Sequence, residues 1–316
     1  MRAIVQERYG DPAEVFEIRE VDRPTPRDGE VLVRVHAVPV TGTDWHLFRG
    51  LPYAARPATG LRRPRNRFPG LELSGTVVTG GGGFAVGDEV FGWCAGTFAE
   101  YVAVPANQLA RKPDNVTLDE AAAGPIAAFT AYQAVKHVAA GDRVLVSGAS
   151  GGVGTYAVQF AKVVGAHVTA LCGKEKADLV AGLGADVVLD YRAFDYTGRG
   201  FDVLLDVYGS PSVRQCRDVV RPRGKVVMVG GTGGKFFMGT DRWLRALVLA
   251  PFLGFTARPV VHRDSHDDLV AIRDLVAAGA VRPVLSGTYP FDQAPQAIRD
   301  VHEGRARGHA VVRVAR

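Results

Sequence analysis

An α/β protein is expected, built from a doubly wound parallel-sheet domain and a second, β-rich domain. Three observations in the 316-residue chain predict it. From Arg143 onward, short apolar runs alternate with helix-spaced segments, the pattern of buried parallel strands joined by helical crossovers. A glycine-dense turn, GASGGVG at Gly148–Gly154, follows the first of those runs. Before about Pro113 the texture differs, with short alternating segments separated by Gly, Pro and Asp turns. The expected division is a β-rich domain from 1–116 and 261–316 and a parallel-sheet domain at 117–260.

Taken in order, Val31, Val33, Val35 and Ala37 share one face of a half-buried strand, Val31–Val38. Further strands are expected at Leu73–Val78, Glu89–Phe91 and Phe98–Val104. Thr117 and Glu120 form a capping-box pattern ahead of an alanine-rich helical stretch, which Gly124-Pro125 breaks into two helices. Parallel strands follow at Val144–Val146, Val168–Leu171, Val187–Leu189, Phe201–Leu205 and Val226–Val229. Between the first two, Val153, Ala157, Phe160, Ala161 and Val164 keep a helical spacing. The tail returns to mixed texture, with helices near Asp267–Ala278 and Gln293–Glu303 and strands near Val281–Leu285 and Ala310–Val314, which complete the β-rich domain.

Composition narrows the function classes. With 47% hydrophobic and 22% charged residues and a net charge of +5, the chain is an ordinary globular one whose scattered cations argue against nucleic acid and suit an anion pocket. The 3 cysteines, Cys94, Cys172 and Cys216, are far apart and form no C-x-x-C, which points to a reducing compartment and away from a cysteine zinc site. The opening MRAIVQERYG has charges where a signal peptide needs an apolar core. The apolar stretch Leu244–Phe255, led by Arg242 and Arg245, is too short to span a bilayer and reads as a packed or substrate-covering helix. A cytoplasmic protein with no membrane partner is the expectation.

Three glycine runs compete for a ligand. Gly148–Gly154 has a strand before it, a helix after it and a second strand beyond, the full context in which a helix start seats a pyrophosphate. Ser150, Gly151, Gly152, Val153 and Gly154 line that seat; the alternative is a tight strand–helix turn with no ligand. The second strand ends in Gly173, then Lys174-Glu175-Lys176, with no acid at the position that reads a ribose hydroxyl. Gly173, Lys174 and Lys176 therefore suit a 2′-phosphate, unless the lysines are only a solvated helix start. Gly80–Gly83 reads as a hairpin connection. Gly230–Gly234, including Gly230 and Gly231, follows the fifth strand at its carboxyl end and is either a nicotinamide-facing loop or a plain connection.

Together, VLVSGASGGVGTYAVQFAK with the downstream LGADVVLDY, the entry GDPAEVFEIREV, and GDEVFGWCAGTFAEYVAVP resemble the medium-chain dehydrogenase/reductase superfamily across essentially the whole chain. The nearest likeness is to its zinc-free quinone oxidoreductase (zeta-crystallin-like) branch, which includes bacterial proteins labelled NAD(P)-dependent alcohol dehydrogenase. The resemblance implies a GroES-like β domain, a Rossmann domain and a homodimer. Zinc-dependent members carry C-G-T-D-x-H and later G-H-E; this chain reads Thr41-Gly42-Thr43-Asp44-Trp45-His46 and Gly70-Leu71-Glu72. Thr41 and Leu71 thus replace two ligands, and no catalytic zinc is expected, since such a site keeps three protein ligands.

By the same resemblance, Asp44 and Tyr53 are active-site residues, Thr130 lies near the nicotinamide, and Tyr191 with Arg192 approaches the adenosine phosphate. Tyr53 has a second reading, a surface aromatic in a Pro-rich loop. The implied activity is hydride transfer from NADPH to a quinone or α,β-unsaturated carbonyl, with Tyr53, Thr41 or His46 donating to the developing oxyanion. Alcohol or aldehyde oxidoreduction is the alternative chemistry, and an NADPH-binding sensor with little turnover the alternative class.

Overall fold

Strand Glu30–Val40 is the longest among the described residues and the spine of the first unit. Val31, Val33, Val35 and Ala37 are fully buried along it, as the period of two requires. It pairs antiparallel with Glu72–Thr79, with Tyr101–Pro105 and with His309–Arg313. Glu89–Trp93 and Leu109–Arg111 extend the sheet on one side, and Leu285–Pro290 pairs parallel with His309–Arg313 on the other. A separate antiparallel pair, Arg2–Gln6 with Phe16–Glu20, was not expected. The core of this unit gathers Leu73, Val77, Val90, Phe98, Leu109 and Ile298.

The computed structural model describes residues 1–231, 234–239 and 241–314. The chain forms two compact units, Met1–Ile126 with Asp264–Arg316, and Ala127–Arg263. The first division therefore falls later than the expected 116/117. The capped helix Leu118–Ala121 packs against Glu30–Val40 and Glu72–Thr79, and its Asp119 pairs with Arg313 and with His36 Nε2 at 3.1 Å, which binds it to the first unit.

Two expected strands shift. The fourth begins at Tyr101 rather than Phe98, because the Phe98 carbonyl accepts the Ile4 N–H at 2.8 Å while the Phe98 ring enters the core. The strand expected near Val281–Leu285 runs from Leu285 to Pro290 instead; Pro283 has no N–H to give a ladder.

Among the described residues the second unit forms a sheet of six parallel strands: β1 (Arg143–Ser147), β2 (His167–Cys172), β3 (Val187–Asp190), β4 (Phe201–Asp206), β5 (Val220–Met228) and β6 (Thr256–Pro259). Their spatial order is 3-2-1-4-5-6, with the reversal of direction falling between β1 and β4. Helix α1 (Gly152–Val163) crosses from β1 to β2 and is buried from Gly154 to Ala161. Leu145, Leu204, Val226 and Met228 anchor the core.

The apolar stretch after Arg242 is a helix as expected, Asp241–Leu253, and of the two readings, packed or substrate-covering, it is packed along a narrow line only. Only Ala246 and Ala250 are buried, while Leu244 is 67% and Phe252 85% exposed. Two small residues one turn apart let the helix backbone lie close to its support and leave the bulky side chains outward. Among the described residues no helix is long and apolar enough to cross a membrane.

Candidate functional site

In the second unit a cradle forms where β1 ends. Ser147 is the last residue of β1, and Gly148 takes the left-handed φ of +68°, with a Tyr208 Cβ 3.0 Å from where its own side chain would begin. Gly151 caps α1 in an extended conformation with no side-chain hydrogen bond to the helix start. The first N–H groups of α1 are thus left for an incoming acceptor, and the helix dipole adds positive potential there. A Cβ on Gly151 would meet nothing nearer than the Gly148 carbonyl at 3.5 Å, so the outer side of the turn is open. A Cβ on Gly154 would strike the Gly148 carbonyl and lie 2.7 Å from Ala149 Cα, so helix and turn touch only because this residue is Gly. Ser150 is buried and Gly152 and Val153 are half-buried in this turn. The cradle fits a pyrophosphate.

The switch point beside it holds a buried ion pair that the sequence did not advertise. Asp206, at the carboxyl end of β4, is wholly buried and accepts from Ser147 Oγ at 2.8 Å and from the Gly209 N–H at 3.0 Å. Arg242 closes the group on its other oxygen and also donates to the Pro211 carbonyl at 2.8 Å. Trp243 Nε1 donates to the Gly230 carbonyl at 3.1 Å, so the turns after β4 and β5 hang from one helix start. Gly230 and Gly231 are half-buried in this turn; Thr232 and Gly233 of the same run lie outside the described residues.

At the far end of the cradle, Gly173 is buried at the end of β2, Lys174 is exposed and Lys176 half-buried on the one-turn helix Lys174–Lys176. Tyr191 is exposed beyond β3 with the Arg192 guanidinium 4.6 Å from its ring. Thr130 is half-buried on helix Pro125–Val135.

The first unit brings Thr41, Asp44 and His46 onto one short helix, Gly42–Phe48, with Thr41 as its cap. Thr41 donates through its N–H at 2.7 Å and through its hydroxyl at 2.9 Å to the same Asp44 oxygen, a reciprocal capping box. Burial pushes the Asp44 carboxyl up to about 6, against those two hydrogen bonds, which lower it. His46 is half-buried with Nδ1 lacking a partner; burial lowers its affinity for a proton, with His302 and Arg49 adding to the effect. Tyr53 stands on a separate one-turn segment, 41% exposed, with the Arg56 guanidinium 4.7 Å from its ring.

Glu72 enters the sequence reading only as the last residue of Gly70-Leu71-Glu72, with no role of its own, yet it dominates this region. It is buried at the start of its strand and accepts the Ile126 N–H at 2.7 Å. Burial raises its carboxyl to about 8, with Asp44 and Asp264 adding like charge and the Ile126 bond opposing. Two buried carboxyls with elevated proton affinity therefore share this side of the unit. Alternation gives no signal for it, because Glu72, Leu73, Ser74 and Gly75 are all buried at the start of this strand. Among the described residues no three His, Cys, Asp or Glu side chains group so as to hold a metal ion.

A 3-2-1-4-5-6 parallel sheet whose first turn is an uncapped, glycine-lined helix start is the architecture of a dinucleotide-binding protein. The family model "Alcohol dehydrogenase GroES-like domain" matches residues 27–114, and "Zinc-binding dehydrogenase" matches residues 183–312. The chain is 33% identical to the mitochondrial NAD(P)H oxidoreductase RTN4IP1 of Homo sapiens, over 90% of this chain and 82% of that protein. It is 30% identical to a chloroplastic quinone-oxidoreductase homolog of Spinacia oleracea, over 99% of this chain and 98% of that one. The solved quinone oxidoreductase of Coxiella burnetii superposes with a TM-score of 0.86 at 25% identity, covering 100% of this chain and 99% of that one. The chain belongs to the medium-chain dehydrogenase/reductase superfamily, in its zinc-free quinone oxidoreductase branch.

Proposed function

We propose that this chain is a metal-independent, NADPH-using reductase of quinones or α,β-unsaturated carbonyls. The observation that carries the reading is the open, uncapped start of α1 at the switch point of the parallel sheet. The oxidoreductase names of its relatives support a nicotinamide cofactor, and Lys174, Lys176 and Arg192 supply cations at the adenosine end. Thr41 and Leu71 at the positions of two zinc ligands support chemistry without a metal.

A bound nicotinamide supplies the hydride; the protein supplies position and charge. Ser150–Gly154 would hold the pyrophosphate of such a cofactor, and Thr130, Gly230 and Gly231 would serve its nicotinamide end. Hydride addition to an enone or quinone leaves negative charge on oxygen, which needs a hydrogen-bond donor and then a proton. The Thr41 hydroxyl is one such donor. It lies 2.9 Å from Asp44, whose burial favours the protonated form; a protonated Asp44 donates to the Thr41 oxygen, frees the Thr41 hydroxyl proton for the substrate oxygen, and regains its own proton from solvent. Tyr53 and His46 remain donors of the same kind. A homodimer in the cytoplasm completes the reading, supported by the buried, unpaired cysteines, the open edge of β6 and the outward Leu244, Val248 and Phe252.

The test is oxidation of NADPH followed at 340 nm with 1,4-benzoquinone and with methyl vinyl ketone; steady turnover is expected. Tight NADPH binding without turnover across a carbonyl panel would favour a sensor, and preferential oxidation of alcohols would favour the dehydrogenase alternative. Lys174→Ala with Lys176→Ala is expected to weaken NADPH more than NADH, and Tyr53→Phe to lower turnover more than cofactor affinity.

A further inference from the structure

By sequence, the end of β2 lacks the acid that reads an adenosine ribose. The fold supplies one from elsewhere. A Cβ built on Gly173 would collide with Glu175 Oε1 and lie 2.8 Å from its Cδ and Oε2. The Glu175 side chain thus folds back over the one-turn helix Lys174–Lys176 and sets its carboxylate in the volume that a side chain at 173 would fill. Only glycine leaves that volume vacant. Gly173 has φ −68° and ψ 145°, which any residue adopts, so the backbone does not require glycine there; a larger residue would instead displace the Glu175 carboxylate from this position.

The cations nearby are also less available than their number suggests. Arg192 Nη1 lies 3.8 Å from Glu175 Oε2 and 3.6 Å from Asp190 Oδ1, so one guanidinium is shared between two carboxylates. Of the cations that suit a phosphate, Arg192 is thus already paired with an acid that opposes one.

We propose that Glu175 is a specificity-determining residue: its carboxylate, seated over Gly173, accepts from the ribose 2′-hydroxyl of NADH and repels the 2′-phosphate of NADPH. The site then takes both cofactors, with Lys174, Lys176 and Arg192 pulling toward NADPH and Glu175 toward NADH. A carboxylate accepts from a ribose hydroxyl by charge-assisted hydrogen bonding, whereas a phosphate beside it adds like charge at short range. Glu175 is 55% exposed, so solvent screens that repulsion and the effect is a tilt in preference rather than an exclusion of NADPH. The proposal rests on the nicotinamide reading of the same cradle.

The test measures binding of the full chain without substrate. Dissociation constants for NADPH and NADH are read from cofactor fluorescence in the wild type, in Glu175→Gln and in Gly173→Ala. Glu175→Gln removes the charge at nearly constant shape, and is expected to shift the NADPH-to-NADH preference toward NADPH by about tenfold. Gly173→Ala keeps the carboxylate in the chain but evicts it from its seat, and is expected to move the preference the same way. Competition by 2′,5′-ADP against 5′-AMP should follow the same shift, which locates it at the ribose rather than the nicotinamide. A wild type that binds both cofactors, with an unchanged preference in both variants, overturns the role of Glu175 alone. A wild type that binds neither cofactor and neither adenine fragment overturns the cradle reading and this proposal with it.

Discussion

Replacing Glu72 with Gln isolates one buried proton. The unfolded carboxyl ionises near 4.5, whereas the folded one holds its proton up to about 8. Between those values the native state binds more protons than the unfolded state, so stability falls as pH rises. At about 1.4 kcal/mol per pH unit, the window amounts to a loss on the order of 5 kcal/mol for a group with no solvent to screen it. Gln has no proton to lose and still offers an oxygen to the Ile126 N–H. Glu72→Gln is therefore expected to match the wild type near pH 4.5 and to become progressively more stable than it toward pH 8. Urea midpoints followed by fluorescence read this directly, because buried Trp45 and Trp93 lie in the same unit as Glu72. Parallel pH curves for the two proteins, with a constant gap between them, would refute the reasoning.

Gly151→Ala and Gly154→Ala separate ligand approach from packing. The first is expected to leave the melting temperature nearly unchanged while weakening cofactor binding about tenfold, because its Cβ points into the open turn. The second forces a clash with backbone and is expected to cost about 2 kcal/mol or more before any ligand is added; thermal melts with and without NADPH distinguish them. Arg242→Ala strands the fully buried Asp206 charge and is expected to destabilise by about 3 kcal/mol, with less loss in the double variant Arg242→Met, Asp206→Asn, as measured by denaturant titration. Thr41→Ala removes a cap worth about 1 kcal/mol, while Thr41→Ser keeps it; if Thr41 also donates to substrate, only the Ala variant loses turnover out of proportion to its stability.

Strands β1, β2, β4 and β5 were legible because a parallel strand buried on both faces writes an unbroken apolar run, and β3, though an edge strand with Val187 and Leu189 exposed, still reads Val-Val-Leu. Strand β6 was not, since Thr-Ala-Arg-Pro carries no apolar run and its Pro cannot donate to a ladder. The glycine turn was legible because its signal is local: strand, glycines, helix. Residues whose roles depend on distant partners stayed hidden. Arg242 reads as the polar flank of an apolar helix, and only the fold brings it to Asp206. Glu175 reads as one charge in a solvated Lys-Glu-Lys turn, and only its fold-back over a glycine gives it a place in the site. Asp119 looks like part of a helix start, yet its pairing with His36 and Arg313 moves the unit boundary past that helix.

Strand His309–Arg313 inserts between Leu285–Pro290 and Glu30–Val40, so the sheet of the first unit is closed by residues from both ends of the sequence. During synthesis, Ala127–Arg263 emerges as a contiguous segment able to complete its own sheet on the ribosome. The earlier strands must wait. Until the late segment is released, Ala37–Val40 presents an apolar edge with unpaired N–H and C=O groups. The nascent chain thus carries a finished nucleotide cradle beside a half-built sheet. Deleting the last strand is expected to give a product that aggregates even though every residue of the cradle is intact.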